Sequence, residues 1–198
     1  MLRRSLAALC AVALAATSAS AQLFNFEGAD SPPGTATPFS LTRGGVTATF
    51  TGTPSPFIVN PGFFNLLSGN VLLDSDEPAN TMEIGFSAPQ TAISLLFALN
   101  DATNTSMLTM NLFNAGSFVG SVSSIGAIPS GFFFPEGALS FTGEAFDQVF
   151  LFTDGAPDYA IDNLRLGDVA VIPEPTTVAL LATGLLALGG VGARRRSN

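Results

Sequence analysis

The sequence predicts an all-β protein: an antiparallel β-sandwich of jelly-roll type, with a signal peptide before it and a C-terminal transmembrane helix after it. Between Gln22 and Asp168, apolar and polar residues alternate in short runs, and no stretch keeps a 3.6-residue apolar spacing. Glycine, proline, asparagine and aspartate punctuate those runs as turn residues do. The two chain ends are different in kind: each carries an uncharged stretch beside arginines.

The opening MLRRSLAALCAVALAATSASAQ has the three parts of a secretory signal peptide. Arg3 and Arg4 form the positive region, and Leu6 to Ala16 is an apolar run well short of the roughly 20 residues a membrane span needs. Ala19 and Ala21 flank Ser20 as the small-residue cleavage site, so residues 1–21 are expected to leave and Gln22 to lead the mature chain.

Residues 22–170 are expected to form the sandwich. VTATFT, from Val46 to Thr51, sets Val46, Ala48 and Phe50 on one face and threonines on the other. TMEIGF, from Thr81 to Phe86, does the same with Met82, Ile84 and Phe86. AISLLFAL, from Ala92 to Leu99, is apolar but for Ser94, as suits a central strand covered on both sides. MLTMNLF then turns through Asn114-Ala115-Gly116 into SFVGSVS, a hairpin pattern. FDQVFLFT and AIDNLRL close the set, with TDGAPD as the turn between them. Eighteen phenylalanines and many β-branched residues supply a core without disulfides.

GFFNLL (Gly62 to Leu67) and GFFFPEG (Gly131 to Gly137) break this pattern. Side chains alternate along a strand, so consecutive phenylalanines cannot share one face. Either these stretches tuck over the end of the sandwich, or they expose an apolar patch that meets another molecule.

Charge and inventory narrow the chemistry. From Gln22 to Ile172 only Arg43 and Arg165 oppose 14 acids, a net charge of −12 that repels nucleic acid and anionic headgroups. There is no histidine or lysine, and the one cysteine, Cys10, sits in the signal peptide. Imidazole bases, thiolate nucleophiles, Schiff-base lysines and His/Cys zinc sites are therefore excluded from the mature chain. Carboxylates, hydroxyls and amides remain, a set that suits calcium.

The tail, residues 171–198, combines Pro173-Glu174-Pro175, the uncharged Thr176 to Ala193 and the cluster Arg194-Arg195-Arg196. As a helix, residues 176–193 reach about 27 Å, close to a hydrocarbon core of roughly 30 Å. The arginines hold the C-terminus in the cytoplasm and leave the domain outside. The prolines keep the preceding chain extended, open to a processing enzyme.

In order and spacing these three parts resemble the PEP-CTERM sorting signal of Gram-negative, exopolysaccharide-producing bacteria. That resemblance implies an exosortase partner, anchoring in the inner membrane before processing, and delivery to the envelope or matrix. The middle of the chain resembles β-rich domains attached to this signal, where a segment like AIDNLRL is the last strand. It is also faintly similar to galactose-binding-like jelly rolls, in which an acid of the first strand and one of the last often flank a structural calcium. The matching positions here are Glu27 in NFEG and Asp162 in AIDN. Asp162 further draws notice because strand alternation puts the apolar Leu164 and Leu166 on its face.

The expected function is that of a secreted, non-enzymatic structural or adhesive protein of the envelope or exopolysaccharide matrix. A calcium-dependent glycan-binding module is the alternative. A glycosidase built on two carboxylates stands behind both, with no clustered acid pattern or nucleophile elbow to support it.

Overall fold

The computed structural model describes residues 21–53, 56–74, 81–154 and 158–167. Ten strands and no helix lie within them. They are β1 (Gln22–Phe24), β2 (Phe39–Arg43), β3 (Val46–Thr53), β4 (Phe57–Val59) and β5 (Val71–Asp74). β6 (Thr81–Leu99), β7 (Leu108–Asn114), β8 (Ser117–Ser124), β9 (Glu136–Thr153) and β10 (Tyr159–Leu166) follow. Every pairing is antiparallel. The fold is the expected all-β sandwich.

Two long strands organise it. β6 has 19 residues and β9 has 18, and each bends where its register shifts, between Gly85 and Ala92 on β6. The sequence suggests two strands here, TMEIGF and AISLLFAL; they are one, carried through Ala88-Pro89-Gln90 by that irregular stretch. Before the bend β6 pairs with β3, and after it with β10. One layer therefore runs β2-β3-β6-β9-β7-β8 and the other β4-β5-β10-β6-β9, with β1 also on β10. Strands that pass from one layer to the other at such bends make the corners of an orthogonal sandwich.

Alternation buries one side of each layer in a common core. Ala48, Phe50, Ile84, Met110 and Val149 come from the first layer, and Ile93, Leu95, Phe97 and Ile161 from the second. Phe26 meets Phe50 edge-on at 5.6 Å between ring centroids, and Phe39 stacks on Phe50 at 5.0 Å. The β7–β8 hairpin turns at Ala115 and Gly116, both at positive φ (48° and 80°), as a two-residue hairpin turn requires.

A second, smaller apolar cluster of Leu67, Val71, Ala98 and Ala160 lies on the opposite face of the second layer. It exists because the segment between β4 and β5 folds back over β10 and β6. The Ala98 end of AISLLFAL is therefore covered on both sides, while Ser94 and Leu96 stay half-buried on the outer face.

Candidate functional site

The segment between β4 and β5 is held by three carboxylates from three separate parts of the chain. Glu136, the first residue of β9, accepts the backbone N–H of Asn65 at 2.8 Å and of Leu66 at 2.5 Å. Asp162 on β10 accepts that of Ser68 at 3.3 Å. Glu27, three residues past β1, accepts that of Asn70 at 2.6 Å, while the Asn70 side chain donates to the Phe26 carbonyl at 2.8 Å. A segment lying over a sheet leaves its own N–H groups without ladder partners, and ionised acceptors satisfy them more strongly than neutral ones do.

Glu27 and Asp162 are thus brought to the same short stretch, Ser68 to Asn70. Gly69, at φ 68°, sits so close under Glu27 that an added Cβ would lie 2.0 Å from its Oε1. Asp162 is 1% exposed, and Asn163 donates to it from both its backbone (2.6 Å) and its side chain (3.0 Å). Burial raises the Asp162 carboxyl above its ordinary range; these backbone bonds oppose the rise, and the negative charge of Glu27 adds to it.

Two sequence-based details are corrected. Glu27 lies beyond the first strand, not in it. Asp162 does not share a face with Leu164 and Leu166. Asn163, at φ 52°, accompanies a register shift between Asp162 and Arg165 that changes the strand's phase. Leu164 and Leu166 consequently enter the main core, whereas Ala160, two residues from Asp162, faces the smaller cluster.

The donor set partly fits calcium, which takes carboxylate oxygens. Glu27 keeps open lone pairs on both oxygens and Asp162 on Oδ1, whereas Asp162 Oδ2 already accepts from Ser68 and Asn163; the two negative charges also repel. Among the described residues, however, no third acidic ligand joins them.

Glu136 also joins the two phenylalanine stretches, since it ends GFFFPE and grips GFFNLL. Phe63, Phe64 and Phe134 meet with centroid distances of 4.7, 5.6 and 6.0 Å. Phe64 turns inward against the smaller cluster, while Phe63 is 51% exposed and Phe133 78%. Part of the two stretches covers the sheet and part is left bare. Beneath the rings is a pocket of ≈ 150 Å³ whose polar rim is Asn100 and Asp158, joined by an amide–carboxylate bond of 2.9 Å.

Nearby, Asp74 is buried at the end of β5 with no hydrogen-bond partner on either carboxylate oxygen. The Tyr159 hydroxyl lies beside it but donates to the Leu151 carbonyl at 3.0 Å and accepts the Met82 N–H at 3.2 Å. Burial, assisted by the charge of Asp158 and opposed by Tyr159, raises the Asp74 carboxyl to about 6.

Glu136 escapes a reading by sequence because its partners are about seventy residues away and its neighbours draw attention as aromatics. Ala19 of the cleavage site, Pro173-Glu174-Pro175, the helix expected over residues 176–193 and Arg194-Arg195-Arg196 lie outside the described residues. Among the described residues no helix is long and apolar enough to cross a membrane.

Residues 171–196 match the sequence profile of the PEP-CTERM protein-sorting motif. The match coincides with the tail as read above, and it implies an exosortase substrate that is exported and processed from a membrane-anchored form. No curated protein matches the chain. Among solved structures, the K2 cleaved adhesin domain of Lys-gingipain aligns over 75% of this chain and 99% of its own, at 13% identity and a TM-score of 0.50. The family 32 module of AlyQ, solved with an unsaturated mannuronic acid, covers 66% of this chain and 99% of its own at 10% identity and a TM-score of 0.33. TmCBM61, solved with β-1,4-galactotriose, covers 61% of this chain and 87% of its own at 11% identity and a TM-score of 0.37. The adhesin domain shares the sandwich fold.

Proposed function

We propose that this is a non-enzymatic adhesive protein of the cell envelope or exopolysaccharide matrix, and that the two phenylalanine stretches are its contact surface. The carrying observation is the bare apolar surface of Phe63, Leu66 and Phe133, fastened by a buried carboxylate. Exposed aromatics on rigidly held loops mark contact with another molecule more often than scattered exposed residues do.

The position of this surface supports the reading. β10 starts at Tyr159 beside the phenylalanine pocket and runs away from it to Leu166, where the tail departs. The contact surface and the tail are separated by a strand of eight residues, about 26 Å. A domain held through the chain end that follows β10 carries the phenylalanines at its opposite end.

A non-catalytic role is supported by what the carboxylates already do. Glu27, Glu136 and Asp162 each hold backbone amides, an occupation that leaves them poorly suited to shuttle protons. The calcium-dependent glycan-binding reading is supported by the juxtaposition of Glu27 and Asp162 on one loop; they are the residues that would hold the ion. Asn100 and Asp158 at the pocket rim would offer polar contacts to a sugar.

Retention of the native chain in isolated extracellular matrix, compared with a Phe63→Ser/Phe133→Ser variant, tests the adhesive reading. Both positions are largely exposed, so the variant should fold and wash out of the matrix. Equal retention of the two would remove the phenylalanines from the mechanism of attachment.

A further inference from the structure

A different part of the molecule, the outer face of the first layer, carries a second feature. One cross-strand row runs through six strands in register: Ser40, Thr49, Gly85, Gln148, Phe113 and Phe118. Residues opposite one another in antiparallel strands share a face. This row is therefore a line of side chains across the sheet, polar in one half and aromatic in the other.

Gly85 interrupts the line in the middle of a central strand. A glycine inside a strand marks a bulge, a bend or a close approach, and Gly85 is the last residue regularly paired with β9 before the β6 irregularity. Its φ is not positive, and an added Cβ would meet nothing within 4 Å. Neither a positive φ nor crowding requires glycine at this position. Gly85 lies on the floor of a shallow, open trough of ≈ 410 Å³, walled by Thr47, Thr49 and Ser87 on one side and by Asp147, Gln148 and the Ala115-Gly116 turn on the other.

The walls are already oriented. The Thr49 and Ser40 hydroxyls bond at 2.9 Å, and Thr47 and Thr42 at 2.8 Å. Ser87 accepts the Thr47 N–H at 2.9 Å, and Asp147 accepts the Ala115 N–H at 3.1 Å. The Gln148 amide donates to Glu83 at 2.5 Å. Each hydroxyl keeps hydrogen-bonding capacity toward the trough. Two strands away, about 10 Å along the row, Phe113 meets Phe118 edge-on at 5.6 Å and Phe150 at 5.4 Å, and Phe118 is 61% exposed.

We infer that this row binds a neutral oligosaccharide lying across the strands, with one sugar in the trough over Gly85 and another against Phe113 and Phe118. Hydroxyls and an amide beside an aromatic face match the two sides of a pyranose: equatorial hydroxyls and an apolar C–H surface. The carboxylates of Glu83 and Asp147, with the acidic charge of the whole chain, disfavour uronates and other anions. The geometry stands apart from the phenylalanine surface and needs no calcium; only the source of the ligand, a matrix polysaccharide, rests on the adhesive reading.

Titration calorimetry on the detergent-solubilised full chain tests this, with cellohexaose and isomaltohexaose as neutral probes, hexaguluronate as the anionic control and spermine as the cationic one. A neutral probe is expected to bind and the two controls are not. Gly85→Val raises a strand-favouring side chain from the trough floor and should weaken binding by at least about tenfold with Tm unchanged or higher. Phe118→Ser, at an exposed position, should weaken it about tenfold and serves if Gly85→Val misfolds. Binding of neither neutral probe, preference for a control, or wild-type affinity in the folded Gly85→Val or the Phe118→Ser chain overturns the assignment. A wild-type chain that stays in matrix through Phe63 and Phe133 yet binds no neutral probe sinks the trough alone. Neutral-sugar binding lost in Gly85→Val, with matrix retention indifferent to the phenylalanine substitutions, sinks the adhesive surface alone.

Discussion

Glu136 and Leu66 stand seventy residues apart in sequence and 2.5 Å apart as carboxylate and backbone N–H. That bond, with the one to Asn65, joins the two phenylalanine stretches into a single surface. Replacing Glu136 by Gln retains the shape and removes the charge, so one oxygen still accepts while the other position becomes a donor facing an N–H. The Glu136→Gln chain should lose about 2 kcal/mol, and limited proteolysis should cut sooner between Gly62 and Leu67. Unchanged cleavage there would mean that the apolar cluster around Leu67 holds the segment unaided.

Asp74 predicts an unusual pH response. Its folded-state value of about 6 exceeds its ordinary value of 3.8, so between those limits the folded chain binds more protons than the unfolded one. The stabilisation from a neutral Asp74 is present below about 4 and is lost as pH rises through about 6, amounting to about 3 kcal/mol at most. Asp162, raised in the same direction, adds to the trend. Asp30 and Asp101, lowered by Arg43 and by the Thr103 hydroxyl respectively, act oppositely and at more acid pH. Urea unfolding should therefore show greater stability at pH 5 than at pH 7.5, and Asp74→Asn should flatten most of the difference. A slope unaffected by that substitution would assign it to other groups.

Calcium at Glu27 and Asp162 predicts a linked stability. Millimolar calcium should raise Tm by several degrees in the wild-type chain, chelator should reverse it, and Asp162→Asn should abolish the response. If Tm ignores calcium and chelator alike, the two carboxylates serve the loop's amides only.

The tail predicts a defined end. In protein recovered from its native host, C-terminal peptides should stop near Pro173 to Thr177. Intact peptides reaching Arg194 would instead make the tail a lasting anchor.

Much of the fold was readable because alternation is a local property: Val46 to Thr51 and Met107 to Phe113 declare their buried faces within a few residues. The first half of β9 was not, because Gly137 and Gly143 break its pattern; an added Cβ on either would meet a phenylalanine ring, Phe97 at 2.8 Å or Phe141 at 3.0 Å. Short strands such as β4 and β5 show too few residues for a period. At the candidate site, Glu27 and Asp162 stood out as acids near apolar strands, but the face of Asp162 depends on a shift at Asn163 that no composition signals. Glu136 and the row through Gly85 depend on pairings distant along the chain, and those appear only when the sheet is assembled.

That the chain runs from β10 directly toward its C-terminal end has a mechanical consequence. β10 is bonded to β6 along one edge and to β5 and β1 along the other. Tension entering at Leu166, resisted at the far end by a phenylalanine contact, pulls the strand lengthwise. The ladder bonds on both edges are then loaded together in shear, where a peeling pull would break them one after another. A chain held through the end that follows β10 and gripped at its other end meets drag with a terminal strand paired on both edges, and would yield only when many bonds fail at once.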